Sequence, residues 1–242
     1  MKKYFLAAML ICAIQTFAFA GWGELLSKAI SSSPTSSTPL SETKIGQGLK
    51  EALRVGAEKA VAVTGKKDGY FKNETIKILM PEKLKAAEGL LRKMGLGAQM
   101  DQLVLSMNRA AEAAAPQAKN IFVNAIANMS LDDVKKIYQS GDTAATQYFQ
   151  TKTIPELTKL YRPVVTKAMG DYQVSKLYQG VTGKYNALPV AKFMPAPEIE
   201  EYVVKQSLGG LFKVLGEQEK AIRKDPAARV NQLLKDVFSQ VK

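Results

Sequence analysis

The chain has 242 residues, one cysteine, no histidine and a formal net charge of +12. The missing histidine excludes imidazole bases, and with no cysteine after residue 20 either, the chain beyond that point offers carboxylates, lysines, tyrosines and hydroxyls for any chemistry. The length suffices for one substantial core or two small ones.

Lys2 and Lys3 precede an apolar run, Tyr4 to Phe17, interrupted only by Gln15 and Thr16, and Ala18-Phe19-Ala20 forms an A-x-A cleavage site before Gly21. This is the pattern of a secretory signal peptide over residues 1–20, with a retained N-terminal anchor as the alternative. No later stretch reaches the ~18 uncharged apolar residues that a membrane span needs. Cys12 lies inside the run and leaves with it, so the mature chain is expected to form no disulfide and to rely on its core. Loss of Lys2 and Lys3 takes the charge from +12 to +10. The expected location is the periplasm, where a cationic protein meets anionic lipid, envelope polymers and envelope proteins but not nucleic acid. The plainer reading is that the charge serves solubility alone.

Residues 21–39 form a separate segment. Trp22, Leu25, Leu26, Ala29 and Ile30 recur at helical spacing, and Ser31 to Pro39 is a Ser/Thr/Pro-rich linker that cannot bury apolar area. Trp22, Leu25 and Leu26 are therefore candidate contacts to a membrane or partner, and folding back onto the body is the other possibility.

The body, residues 40–242, reads as one helical domain. Ser41 suits an N-cap for a helix through Val63, in which Gly48, Ala52, Gly56 and Ala60 make a small-residue ridge that lets another helix approach closely. Lys66 to Leu79 is the one place for β structure, a short hairpin near residues 70–79. Pro81 opens a helix with Leu84, Ala87, Leu90, Leu91 and Met94 on its buried face, stopped by Gly95 and Gly97. Met100, Leu103, Val104, Met107, Ala111 and Ala114 mark the next helix, and Pro116 kinks or restarts it. Ser130 caps another helix, and Asp142 caps the one carrying Tyr148 and Phe149. Ile154–Met169 and Val174–Tyr185 follow, then a loop to Pro197. A long helix from Glu198 to Lys224 is weakened by Gly209-Gly210, and Asp225-Pro226 restarts an amphipathic end helix. The fold class is all-α, a multi-helix bundle of about eight helices.

Several stretches carry a resemblance: Leu105-Ser106-Met107-Asn108-Arg109-Ala110-Ala111-Glu112, Gly48 to Leu53, Ala144 to Phe149, Lys184 to Pro189 and Ile222 to Arg229. On these the chain resembles the DUF4197 family, an exported bacterial domain of unknown function, over roughly Leu40 to the C-terminus. The resemblance implies a helical exported protein and brings no catalytic residue with it.

At 100° per residue, Asp101, Asn108 and Glu112 fall within roughly 40° of one another, with Arg109 beside them. They are the candidate ligand-binding group, built around Arg109. The competing reading is a buried network that fixes helix register. Glu112 paired with a second acid would suit a carboxylate-dependent hydrolase of cell-wall glycan. No metal site or cofactor is expected: Asp68, Asn73 and Glu74 lack calcium-loop spacing, and no G-x-S-x-G occurs. The aromatics of the middle third, Tyr148, Phe149, Tyr161, Tyr172, Tyr178 and Tyr185, read as core more than as a ligand cage. Basic runs at Lys66-Lys67, Arg92-Lys93, Lys135-Lys136 and Arg223-Lys224 with Arg229 would serve an anionic surface if they converge. The function expected is non-enzymatic binding of an anionic envelope component, whether lipid, polymer or protein; the alternative is the glycan hydrolase.

Overall fold

The structure, a computed structural model, describes residues 41–239 apart from 131, 134–136, 138 and 139. The signal peptide, the segment with Trp22, Leu25 and Leu26, the linker, most of the helix expected after Ser130, and Lys135-Lys136 lie outside the described residues. Among those described there is no strand, and no helix is long and apolar enough to cross a membrane.

Seven helices of seven residues or more build the described body. They are α1 (Glu42–Thr64), α4 (Gly97–Ala114), α5 (Ala118–Ala127), α6 (Ala144–Asp171), α7 (Val174–Tyr185), α8 (Ile199–Lys224) and α9 (Gln232–Phe238). Two single turns, α2 (Glu82–Lys85) and α3 (Glu88–Leu91), precede α4. Helix α8 is central and packs against α1, α4, α6 and α9, while α4 also lies against α6 and α7. Phe122, Phe149 and Phe212 meet at the core with ring centroids 5.2–5.8 Å apart, in tilted and edge-on geometries that suit aromatic quadrupoles.

The small ridge of α1 works as its spacing predicts. A Cβ on Gly48 would sit 2.5 Å from the Val237 side chain, and one on Gly56 would sit 2.9 Å from Leu215. The absent side chains are what let α8 and α9 lie so close. Ser41 caps α1 by accepting the Lys44 N–H at 3.2 Å.

Elsewhere the chain departs from its pattern for identifiable reasons. The expected hairpin near residues 70–79 does not form: the backbone closes turns at Asn73 and Ile76, and the N–H groups of Tyr70, Phe71 and Ile78 go to side chains of α4 rather than to a second strand. The single helix expected after Pro81 is broken into α2, α3 and a π turn, Arg92–Leu96, around Gly95 at φ +85°. Leu84, Ala87 and Leu91 are buried as expected, but the break turns Leu90 and Met94 to solvent. Pro155 and Pro163 do not divide α6; both rings are exposed and the helix runs on past them. Gly209-Gly210 does not interrupt α8, and Gly210 instead admits Tyr70, whose Cε1 would lie 2.6 Å from a Cβ there. Asp225 does accept the Ala227 N–H, but it caps only a short 3-10 turn; the end helix is capped by Asn231, which accepts the Leu234 N–H at 3.0 Å.

Candidate functional site

Helix α4 holds the loop of residues 66–80 with three adjacent polar side chains. The Asn108 amide takes both polar groups of Ile78: the Ile78 N–H donates to Oδ1 at 2.9 Å and Nδ2 donates to the Ile78 carbonyl at 2.8 Å. Glu112 Oε1 accepts the N–H groups of Tyr70 and Phe71 at 3.1 and 3.0 Å. Arg109 bridges Glu112 Oε2 at 2.5 Å and Asp68 at 2.6 Å. Asp68 adopts a left-handed backbone conformation, φ +67°, that aspartate tolerates better than most residues. The guanidinium of Arg109, joined by Lys72, holds its carboxyl below the usual carboxylate range. Tyr70 follows into the core, where it donates to the Ser207 carbonyl at 2.7 Å.

The candidate group therefore divides. Asn108, Arg109 and Glu112 come together, and Asn108 and Glu112 are buried with their polar atoms bonded to the loop. Glu112, the carboxylate on which a hydrolase would rest, spends both oxygens on Tyr70, Phe71 and Arg109. Asp101 stands apart on the surface and binds Arg92 at 2.6 Å, which lowers its pKa.

Other resembling stretches do comparable work. Glu219 on α8 is fully buried and accepts the N–H groups of Ala145 and Thr146, together with the Thr146 hydroxyl, at 2.7–3.1 Å. A carboxylate at that place satisfies free donors at the N-terminus of α6 and complements its dipole. Arg223 pairs with Glu219 at 2.8 Å and faces the Phe238 ring, and Arg229 donates to the carbonyls of Ile222 and Arg223 at the end of α8. Two members of the expected basic surface thus turn inward. Arg92 is paired with Glu88 and Asp101, and Lys224 with Asp142. Phe149, Tyr161, Tyr178 and Tyr185 are core residues, whereas Tyr148 is half-buried and Tyr172 exposed.

Beside the clasped loop lies a cleft of about 340 Å³ between residues 71–92 and the first turns of α4. Its apolar lining is Phe71, Leu79, Met80, Met100 and Val104, and Asp101 stands at its edge. Arg92 crosses one wall and is held by Glu88 at 2.7 Å and by Asp101. Lys77 and Lys85 are held far more loosely. Their nearest acids, Glu74 and Glu82, lie 3.9 and 3.8 Å away and are 82% and 85% exposed, so water competes for both pairs. Lys77 also lies 4.7 Å from the centroid of Phe71. The arrangement offers an apolar floor with two cations free to exchange their partners for an anionic group.

A second, larger cleft of about 570 Å³ runs between α5 and α6. Its charges balance differently, with Lys152 lining it beside two acids, Asp133 and Glu156, and lying 5.6 Å from the Tyr148 ring centroid. Asp133 bonds to Tyr148 and pushes that hydroxyl up to about 12.

The sequence pattern missed Phe71, Lys77 and Lys85. Their signal was local, lysines set among apolar residues on either side of Pro81, but nothing in it linked them to Arg92 and Asp101. A family model described as "Protein of unknown function (DUF4197)" matches residues 39–239. No curated protein and no solved structure gives a significant match.

Proposed function

The chain belongs to the DUF4197 family of proteins of unknown function, and on that footing we propose that it is an exported, non-enzymatic binding protein for an anionic amphiphile of the bacterial envelope. The ligand's apolar part would rest on Phe71, Leu79, Met80, Met100 and Val104, and its anionic head would engage Lys77 and Lys85. The observation that carries the reading is the looseness of those two lysines at the mouth of an apolar cleft. Pockets for such ligands are mostly apolar, with a few convergent polar groups. The signal-peptide pattern of residues 1–20 supports export to the periplasm, and the +10 charge of the remainder favours approach to anionic surfaces. Among the envelope components expected from the sequence, lipid fits the apolar floor better than a wall polymer does.

Co-sedimentation with vesicles at low salt tests the reading. The protein is expected to pellet with phosphatidylglycerol vesicles, to stay in solution with phosphatidylcholine, and to be released as salt screens the attraction. Equal behaviour with both lipids would contradict it.

A further inference from the structure

Helix α5 presents Asn120 and Asn124, and its C-cap residue Asn128 continues the row, at i, i+4 and i+8 along one wall of the α5–α6 cleft. All three are exposed, and among the described residues their side-chain amides make no hydrogen bond. Successive asparagines are about 6 Å apart along the helix. Alternate residues of an extended chain are about 6.6 Å apart. The mismatch accumulates to only about 1 Å over two steps, which a side-chain amide can absorb.

The same molecule shows what an asparagine on a helix does to extended backbone. Asn108 binds the N–H and the carbonyl of Ile78 with the two ends of one amide. Tyr148, Lys152, Glu156 and Leu160 form the opposite wall, again at four-residue spacing on α6, and Ile121, Ala125 and Leu157 lie between the walls. Lys152 lines the cleft together with two acids, Asp133 and Glu156, so the cleft complements an uncharged, hydrogen-bonding ligand better than a phosphate.

We propose that the α5–α6 cleft binds an extended peptide segment of another protein, with Asn120, Asn124 and Asn128 each gripping the backbone of alternate residues. A peptide amide supplies the donor and acceptor pair that an asparagine matches. With the backbone held at every second residue, the intervening side chains of one sign of the pleat face the apolar floor. Five residues of extended chain span the three asparagines. Specificity would then lie in apolar side chains at alternate positions, as in other modes where main-chain bonds supply affinity and pockets supply choice. The site is separate from the lysine-lined cleft and stands or falls without it.

The test is an array of acetylated heptapeptides with apolar and polar residues alternating, each paired with a copy N-methylated at alternate amides. The full chain and its Asn124→Leu and Asn128→Leu variants are compared, with an uncharged chito-oligosaccharide as a further probe. Both asparagines are exposed, so the variants are expected to keep the far-ultraviolet circular dichroism of the parent. Saturable binding by members of the array is expected, at least tenfold weaker for their N-methylated copies and for each variant. Binding that survives N-methylation or the leucine substitutions would overturn backbone recognition. Binding of the oligosaccharide in place of every peptide, or no peptide bound above its N-methylated copy, would overturn the proposal outright.

Discussion

The Asn108 side chain and the Ile78 backbone form a closed pair, the Ile78 N–H donating to Oδ1 at 2.9 Å and Nδ2 donating to the Ile78 carbonyl at 2.8 Å. Both residues are buried, so neither backbone group has water as an alternative partner. The expectation is that Asn108→Ala destabilises the protein by about 2–4 kcal/mol, because two buried groups lose their partner. Asp101→Asn, at an exposed ion pair, should change stability by less than about 0.5 kcal/mol. Urea unfolding of the two variants measures the contrast; equal effects would remove the distinction drawn between clasp and surface.

Gly209 and Gly210 should respond to alanine with opposite signs. A Cβ at Gly209 meets nothing within 4 Å, so Gly209→Ala is expected to stabilise α8 by about 0.5–1 kcal/mol. At Gly210 the new methyl would lie 2.6 Å from a Tyr70 ring that its own hydroxyl anchors to Ser207. Gly210→Ala should therefore destabilise by about 1–3 kcal/mol. Thermal unfolding of both variants settles the pair.

This pair also shows where the sequence stopped being legible. A Gly-Gly step in a helical pattern reads as weakness, since glycine's entropy cost is a local property. Its use as a recess for Tyr70 depends on a residue about 140 positions away and leaves no local mark. The ridge at Gly48 and Gly56 was legible because four such residues recur at one spacing on one helix. Asn108, Arg109 and Glu112 were legible as a group for the same reason. Their partners Asp68, Tyr70, Phe71 and Ile78 lie in another segment, so whether the group gripped a loop or a ligand could not be read from periodicity. The hairpin expectation failed on the same point: the sequence marked a break in the helical pattern but could not say that turns and helix side chains, rather than a second strand, would satisfy its backbone.

Breaking the buried pair at the head of α6 should be among the most damaging single changes. Glu219→Gln removes the charge that faces Arg223 while both side chains stay buried, at 0% and 4% exposure. A loss of about 3 kcal/mol or more is expected. It should appear in chemical denaturation of Glu219→Gln; a change under about 1 kcal/mol would mean the site relaxes freely.

Asp68 should give the fold part of its acid sensitivity. Its folded-state pKa is lowered by Arg109 and Lys72. Its contribution is therefore complete above the unfolded value of about 3.9 and is lost as pH falls through the lower folded value. Asp68→Asn is expected to lower stability at pH 7 and to flatten the decline below about pH 4. Urea midpoints of the parent and variant between pH 7 and pH 2.5 check this. Parallel curves would show that the Arg109 contact carries no such linkage.

The most direct measurement is calorimetric titration of the full chain and its Lys77→Gln, Lys85→Gln double variant with monomeric dihexanoyl phosphatidylglycerol and dihexanoyl phosphatidylcholine, which share tails and differ in charge. Tighter binding of the anionic lipid by the parent, reduced in the double variant to the level of the zwitterionic one, is the result expected. Equal affinity for the two lipids, or an anionic preference that persists without Lys77 and Lys85, would contradict the assignment of the cleft.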